Sequence, residues 1–413
     1  MRVIVQKFGG TSVATPQGRQ LVREKIKQAL VAGQKPVVVV SAMGRINDPY
    51  ATDTIIKLLH QENPTPNKHE LDFMMCCGEM LSAGVMAAGL QQDGLRAMAL
   101  TGGQAGIITD NQYGAARILK VETGLLFQLV STGVIPVVCG FQGRTNDGLH
   151  LTTLGRGGSD TTAAALGAAL NAEMIEIYTD VDGIMTADPR MVDCAQILDT
   201  ISYGEICQLA HQGAKVIHPR AVEIAMQKNI PMVVKSTFSD APGTLISNGG
   251  EETADIVSSE RIATGVTYLQ HLAQVTVPLS DLDNRASVAI FQGMADQGIN
   301  VDCLNVQPDA VLFNVVEQDA SKAEATLTSL DYEPVITRQC AKVTVVGGGM
   351  REVPGVMATF VNALATRDIA IYQTVDSNTS ISAIIAQERL CDAVRALHAA
   401  FEMDKQLQQP CAG

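Results

Sequence analysis

The chain has 413 residues, more than one hydrophobic core usually organises, so we expect two or three domains. Its formal net charge is −13, aromatic residues make up 4% and Trp is absent. A nucleic-acid-binding protein would need a basic face or aromatic stacking platforms, so that class is not favoured. The nine cysteines include no Cys-x-x-Cys pair, and no run of about 18 apolar residues occurs. We therefore expect a cytoplasmic protein that engages neither nucleic acid nor membrane.

Residues 1–246 alternate short runs of β-branched residues with longer helical patterns. Continuous apolar runs of this kind are typical of strands buried on both faces of a mainly parallel sheet. They predict a doubly wound α/β domain, whose ligands bind beyond the carboxyl ends of the strands. The predicted strands are Arg2 to Phe8, Lys35 to Met43, Gly133 to Phe141, Met174 to Gly183 and Ile230 to Phe238.

The first run ends in VQKFGGTS, where Lys7 precedes Gly9 and Gly10. A P-loop has the opposite order, with its lysine after the second glycine. Glycines directly after a strand let backbone N–H groups approach phosphate oxygens, and a lysine at the strand end adds a point charge. Taken alone, a lysine before Gly-Gly is more often a solvated turn residue.

The segment TTLGRGGSDTTAAALGAAL, Thr152 to Leu170, predicts an anion site at a helix N-terminus. Glycines free the backbone around an arginine, whose planar fork matches a carboxylate. A serine or aspartate after the glycines could cap the helix. An ordinary capped turn is the alternative. The residues concerned are Arg156, Gly157, Gly158, Ser159 and Asp160.

A third segment, YTDVDGIMTADPR, places Thr179 and Asp180 at a strand end and Arg190 after a glycine turn. These side chains could hydrogen-bond a ribose and adenine and bring an arginine to a polyphosphate. Glu79, in CCGEMLSAG, has the position of a helix-start residue that compensates the helix dipole. Beside an arginine-lined pocket it becomes a candidate partner for a substrate ammonium. Lys215, in GAKVIHP, is a further candidate phosphate ligand.

A segment rich in Gly and acidic residues, SNGGEETAD, precedes a repeat in the C-terminal part of the chain. AQVTV recurs as AKVTV, and MADQGINV recurs as LATRDIAI, about 70 residues later. This repeat predicts two small βαββαβ modules that pair within or between chains. The predicted boundaries are a first domain at 1–246, a linker at 247–262 and modules at 263–335 and 336–413.

Taken together and in this order, the motifs resemble those of the aspartokinases of the amino acid kinase family. The resemblance implies a three-layer α/β sandwich followed by two ACT modules. It assigns Lys7 and Asp160 to catalysis. It implies an aspartate site formed by Ser41, Asn47, Glu79, Arg156, Gly157, Gly158 and Ser159. It implies an ATP site formed by Lys7, Gly9, Gly10, Thr179, Asp180, Met185, Arg190 and Lys215.

The activity implied by the resemblance is phosphorylation of the side-chain carboxylate of L-aspartate by ATP, with Mg²⁺ held mainly by the nucleotide phosphates. The product, 4-phospho-L-aspartate, is the entry to lysine, diaminopimelate, threonine and methionine synthesis. Two alternatives remain: a related kinase that phosphorylates glutamate, and an inactive amino acid sensor. An ammonium partner at Glu79 favours a free amino acid as substrate.

The modules imply feedback control by an amino acid and a homo-oligomer formed through them. In the first module, Asn300 and Asp302 could bind the ammonium and carboxylate of the effector. In the second, DSNTSIS resembles the diaminopimelate-responsive subgroup, which favours lysine or diaminopimelate over threonine.

Overall fold

The structure is a computed structural model that describes residues 1–248, 262–279, 284–350 and 353–404. The chain divides into two compact units. The first unit comprises Met1–Ile184, Ile197–Ala210 and Lys215–Ile256. The second unit comprises Met185–Gln196, His211–Ala214 and Val257–Gly413.

Short, mostly buried strands form two sheets in the first unit. The strands are β1 (Val3–Phe8), β2 (Lys35–Val40), β3 (Ala97–Leu100), β4 (Ile107–Thr109), β5 (Ile118–Val121), β6 (Ile135–Cys139), β7 (Gln142–Thr145), β8 (Leu151–Thr153), β9 (Met174–Thr179), β10 (Thr200–Ile201), β11 (Met232–Ser236) and β12 (Thr244–Ile246). In the described residues the main sheet has the order β10-β12-β11-β9-β1-β2-β6-β3 and is parallel except between β11 and β12. A smaller sheet has the order β5-β4-β7-β8. The predicted mainly parallel sheet is therefore confirmed.

The helices before residue 228 are α1 (Gly10–Ala14), α2 (Pro16–Val31), α3 (Thr52–Glu62), α4 (Lys68–Gln92), α5 (Gly124–Ser131), α6 (Gly158–Leu170), α7 (Tyr203–His211) and α8 (Pro219–Gln227). By length and mean hydropathy alone, α4 could span a membrane, although Asp72 and Glu79 interrupt its apolar sequence. However, the helix packs against the sheet, and its acids Asp72 and Glu79 are buried and accept internal hydrogen bonds. We therefore interpret α4 as a core helix of an α/β unit.

Three neighbouring strands end level with one another. Phe8 of β1 is in register with Val40 of β2 on one side and with Tyr178 of β9 on the other. Because these strands are parallel, the loops that follow all begin at the same edge of the sheet. This alignment brings the first and third sequence motifs side by side.

The second unit is built on one antiparallel sheet, with the order β14-β15-β13-β16-β18-β17 in the described residues. Its strands are β13 (Gly265–Pro278), β14 (Asp302–Val306), β15 (Ala310–Val316), β16 (Val335–Val346), β17 (Gln373–Asp376) and β18 (Ser380–Ala386). Its helices are α9 (Asn284–Asp296), α10 (Ala320–Ser329), α11 (Val356–Ala365) and α12 (Leu390–Ala400).

Strands β13 and β16 each contribute to two hydrophobic cores. Val275, in the second half of β13, packs with residues of α9, β15 and α10, whereas Val266, in its first half, packs with residues of α11, β18 and α12. Irregular pairing between Leu269 and Gln274 separates the two halves. The two repeats thus share strands. The numerical boundaries assigned from the sequence stay predictions, and most of the linker lies outside the described residues.

Candidate active site

A lysine and an aspartate from distant segments form an ion pair at the aligned strand ends. The Nζ of Lys7, on β1, lies 2.8 Å from Oδ1 of Asp160, in the first turn of α6. Each side chain is 12% exposed. The pair is therefore shielded from bulk water, which strengthens its electrostatic interaction, yet it borders a cavity that a ligand can enter.

That cavity has a volume of about 220 Å³. It is smaller than the pockets that hold drug-sized molecules, and charged and hydroxyl side chains line it, which suits a small polar metabolite. The lining residues are Lys7, Ser41, Thr52, Glu79, Phe141, Gly155, Arg156, Gly157, Gly158, Ser159 and Asp160. With the exception of Asn47, the structure brings every residue predicted for the substrate to this cavity.

The N-terminus of α6 faces the cavity, but it is not capped as the sequence suggested. Gly157 is the N-cap, with φ 68°, and no side chain caps the helix, so the predicted capping by Ser159 or Asp160 is wrong. The left-handed backbone suits glycine. A Cβ at Gly157 would also lie 2.2 Å from Cγ of His218, so the tight packing there excludes a side chain. Arg156 is exposed at the rim of the cavity.

Glu79 lies in the middle of α4, and the predicted position at a helix start is therefore wrong. The residue is 3% exposed. Its Oε1 accepts a hydrogen bond from the N–H of Ala42 at 3.1 Å, whereas Oε2 has no hydrogen-bond partner among the described residues. Burial raises the pKa of Glu79 to about 8. Without a ligand, this carboxyl is mostly neutral at pH 7.

One residue predicted for the substrate, in the loop between β2 and α3, does not line the cavity. Asn47 is exposed, with φ 78°, and does not line the cavity. Thr52, the first residue of α3, lines it instead. Sequence reasoning missed Thr52 and Phe141. A threonine at the start of a helical pattern could have indicated Thr52, whereas no local pattern indicated Phe141.

The backbone at the end of β1 is tightly enclosed. The N–H of Gly9 donates to the carbonyl of Tyr178 at 3.1 Å, so it holds β1 to β9 rather than pointing at a ligand. A Cβ at Gly10 would lie 2.8 Å from the carbonyl oxygens of both Ala42 and Gly44. Glycine at position 10 thus allows the loop after β2 to pack directly on the turn that follows Lys7, which we call the lysine-first turn.

Asp180 lies at the same edge, after β9. Its Oδ1 accepts a hydrogen bond from the hydroxyl of Thr179 at 3.0 Å, and its Oδ2 lies 2.5 Å from the guanidinium of Arg45. The side chains of Arg45 and Asp180 are 69% and 43% exposed. Ion pairs this exposed contribute about 0–1 kcal/mol to stability. Lys215, also in the first unit, is exposed ahead of α8.

Two residues predicted for the nucleotide belong to the second unit. Arg190 forms two hydrogen bonds with Asp188. Its Nε donates to Oδ1 of the aspartate at 3.0 Å, and a terminal guanidinium nitrogen donates to Oδ2 at 2.7 Å. This guanidinium holds the pKa of Asp188 at about 2. Met185 packs against the apolar cluster of the second unit. Their proposed nucleotide contacts stay predictions.

The candidate effector residues also lie in the second unit. Asn300 is exposed, and Asp302 is the first residue of β14. Asp302 forms an ion pair with Lys342 of β16, whose side chain is only 4% exposed. Nothing in the sequence indicates this partner, because the two residues are 40 positions apart.

Comparison with known proteins identifies the relatives of the chain. Residues 2–236 match the profile of the amino acid kinase family, and residues 343–401 match that of the ACT domain. Aspartokinase 1 of Bacillus subtilis (strain 168) is 45% identical over 405 residues, covering 98% of this chain and 100% of the relative. This identity extends over both units.

Two solved structures of E. coli aspartokinase III share the fold. The complex with aspartate and ADP (R-state) has a TM-score of 0.79 at 24% identity, over 97% of this chain and 99% of that one. The complex with lysine and aspartate (T-state) has a TM-score of 0.73 at 23% identity, with the same coverage.

We predict that Gly157→Ala lowers both stability and ligand binding at the cavity. A left-handed backbone costs a non-glycine residue roughly 1–2 kcal/mol, and the added Cβ would also collide with His218. Gly33→Ala is the matched control, because Gly33 has φ 75° but no atom within 4 Å of its Cβ position. In thermal unfolding, Gly157→Ala should lower the melting temperature more than Gly33→Ala. Equal shifts would contradict the packing argument.

Proposed function

Since the chain belongs to the aspartokinases, a group within the amino acid kinase family, we propose roles for its individual site residues. The enzyme phosphorylates aspartate at the expense of ATP, at the entry to lysine, diaminopimelate, threonine and methionine synthesis, and is subject to allosteric regulation. A glutamate-type kinase and an inactive sensor are not favoured. The observation that supports the residue roles is the Lys7–Asp160 pair beside a small polar cavity.

Lys7 is proposed to stabilise charge on the transferred phosphoryl group. The side chain of aspartate is already ionised at neutral pH, so no general base is needed to make it a nucleophile. The obstacle is the approach of one anion to another, which a fixed cation at the transferring group relieves. Asp160 contacts Nζ of Lys7 and holds it in place. The acid thereby positions the lysine rather than accepting a proton.

Mg²⁺ is proposed to accompany the nucleotide. The described residues contain no group of three or more His, Cys, Asp or Glu side chains that could hold a metal ion. Mg²⁺ characteristically binds one or two carboxylates together with substrate phosphates, so a site completed by the nucleotide fits these residues. When bound, the ion would neutralise phosphate charge. Asp160, at the cavity, is the nearest candidate carboxylate to the phosphoryl-binding lysine.

The cavity is proposed to hold aspartate by its α-carboxylate and its α-ammonium group. Arg156 and the N-terminus of α6, at Gly157, Gly158 and Ser159, suit the α-carboxylate. The unpartnered Oε2 of Glu79 suits the ammonium. Hydroxyls of Ser41 and Thr52 complete the wall, and Thr52 replaces Asn47 in this assignment.

ATP is proposed to bind along the edge formed by the ends of β1 and β9. Gly10 and Lys7 would contact phosphates, Thr179 and Asp180 would contact the nucleoside, and Lys215 would add a cation. Gly9 then acts through the packing of the turn, because its N–H is already engaged.

The second unit is proposed to bind a feedback amino acid at Asn300 and Asp302. E. coli aspartokinase III was solved with lysine and aspartate, which makes lysine a candidate effector, whereas diaminopimelate rests on the resemblance of DSNTSIS alone. Since β13 and β16 already pair the modules within one chain, a homo-oligomer would use other parts of this unit. A cytoplasmic location stays a prediction, in keeping with the free thiols of the described cysteines.

We predict that Lys7→Ala lowers the turnover number about 100-fold or more, while the Michaelis constant for aspartate changes little, because the charge acts mainly at the transition state. The assay is ADP release with L-aspartate and MgATP, with hydroxylamine trapping of the acyl phosphate. Lys25→Ala is the matched control, because Lys25 is 11% exposed and also paired with an aspartate. Intact turnover in Lys7→Ala would refute the role, and absence of product from the parent enzyme would refute the function.

A second prediction concerns the pH dependence of aspartate binding. The pKa of Glu79 is raised to about 8, so its carboxyl must lose a proton before it can pair with an ammonium. The Michaelis constant for aspartate should therefore fall as pH rises from 6 to about 8 and then level off. Glu79→Gln should raise the constant and flatten the profile.

The control for that experiment is Asp72→Asn. Asp72 is another buried acid of α4, and burial raises its pKa too, but it is satisfied by hydrogen bonds from Gly114 and Thr153. Asp72→Asn should keep the pH profile of the parent enzyme. A profile in Glu79→Gln that matches the parent would show that another group titrates.

The effector site leads to a further prediction. Asp302→Ala should abolish inhibition by the effector amino acid, measured as the ratio of activities with and without lysine or diaminopimelate. Because Asp302→Ala also leaves the buried Lys342 without this partner, the isosteric Asp302→Asn serves as a second test. If both Asp302 variants remain as inhibitable as the parent, the effector binds elsewhere.

A further inference from the structure

The loop after β2 presents an arginine from a firmly held turn. The N–H of Gly44 donates to the carbonyl of Gly10 at 3.1 Å, which ties the loop to the lysine-first turn. Within the loop, the N–H of Arg45 donates to Oδ2 of Asp48 at 2.7 Å, and the N–H of Asp48 donates to the carbonyl of Arg45 at 2.9 Å. The backbone at Arg45 is therefore fixed, whereas its side chain is 69% exposed.

The side chain of Arg45 crosses the end of the strand that carries Lys7. In the sheet, β1 lies between β2 and β9, and all three strands end level. Arg45 follows β2 and Asp180 follows β9, so an ion pair between them bridges the end of β1. The guanidinium thus lies on the edge where Gly10 and Lys7 are proposed to receive the phosphates.

We propose that Arg45 is a phosphate ligand that leaves Asp180 for the polyphosphate when the nucleotide binds. This inference rests on the proposed nucleotide site. An ion pair between two exposed side chains is easily exchanged, because water already screens it. A polyphosphate offers several negative charges and oxygens that match the planar fork of arginine. The exchange also frees Asp180 for the nucleoside.

A purely structural clasp is the competing explanation for the contact. Under that explanation, Arg45 would hold the loop after β2 against β9. Its loss would then weaken the binding of every ligand at this edge and lower stability. The two explanations differ in one measurable respect. A phosphate ligand affects nucleotides but not the nucleoside, whereas a clasp affects both and also affects stability.

The experiment measures the dissociation constants of the imido analogue of ATP and of adenosine by isothermal titration calorimetry. The variants are Arg45→Ala and Arg45→Lys in the full chain. The matched control is Arg2→Ala, because Arg2 forms an ion pair of similar exposure with Glu173, 58% and 40%, away from the loops at the strand ends. All variants are also compared by thermal unfolding.

For Arg45→Ala, we expect the dissociation constant of the ATP analogue to rise about tenfold, with adenosine binding unchanged or slightly tighter. Arg45→Lys should fall between Arg45→Ala and the parent, because it keeps the charge but not the fork. Arg2→Ala should match the parent for both ligands.

Unchanged binding of the ATP analogue by Arg45→Ala would overturn the proposal. Equal weakening of both ligands, or a melting temperature lowered well beyond that of Arg2→Ala, would instead establish the clasp. These readouts need no phosphoryl transfer, so they are independent of aspartate. Failure of the parent enzyme to bind the ATP analogue at all would refute the proposed nucleotide site itself.

Discussion

The candidate active site depends on the ion pair between a lysine near the end of a strand and an aspartate in the first turn of a helix. Lys7 is fixed by β1, which lies between β2 and β9, and Asp160 is fixed by the glycine turn that starts α6. An ion pair with both side chains 12% exposed persists only where neighbouring groups hold both partners. The strand register and the left-handed Gly157 supply that restraint. The lysine-first loop therefore needs no P-loop geometry, since the sheet itself orients the cation.

A chain with a formal net charge of −13 must still bring two anionic substrates together. Three acids of this region are neutralised in two ways, by an ion pair or by protonation. Asp160 is paired with Lys7, Asp180 is paired with Arg45, and Glu79 is mostly protonated at pH 7 because it is buried. The site can thus offer positive potential locally, and the negative charge of Glu79 develops when an ammonium is present to pair with it.

Five strands of the first unit could be predicted from the sequence because each is a continuous apolar run, and they form the centre of the mainly parallel sheet. The short strands of the smaller sheet were missed. The errors arose where distant segments decide the outcome. Glu79 was assigned to a helix start because the polar start of α4 lies eleven residues earlier, at Lys68. Thr52 was missed because the length of the loop after β2 determines which residue reaches the cavity. The ion pair of Lys342 depends on a partner 40 residues away.

The ion pair between Asp302 and Lys342 determines what kind of ligand would suit the proposed effector site. Lys342 lies in the half of β16 that pairs with β18, and Asp302 lies on β14, which pairs with β15 in the other repeat. Their ion pair therefore links the two repeats, and burial makes it costly to leave Lys342 unpaired. A simple cation that displaced Lys342 from Asp302 would leave this buried lysine unpaired, which is unfavourable. An amino acid avoids it, because its ammonium can replace Lys342 at the proposed site while its carboxylate supplies the lysine with a new partner. Binding would thus separate two side chains that hold the repeats together, and a ligand that binds one arrangement better than another shifts the population toward it.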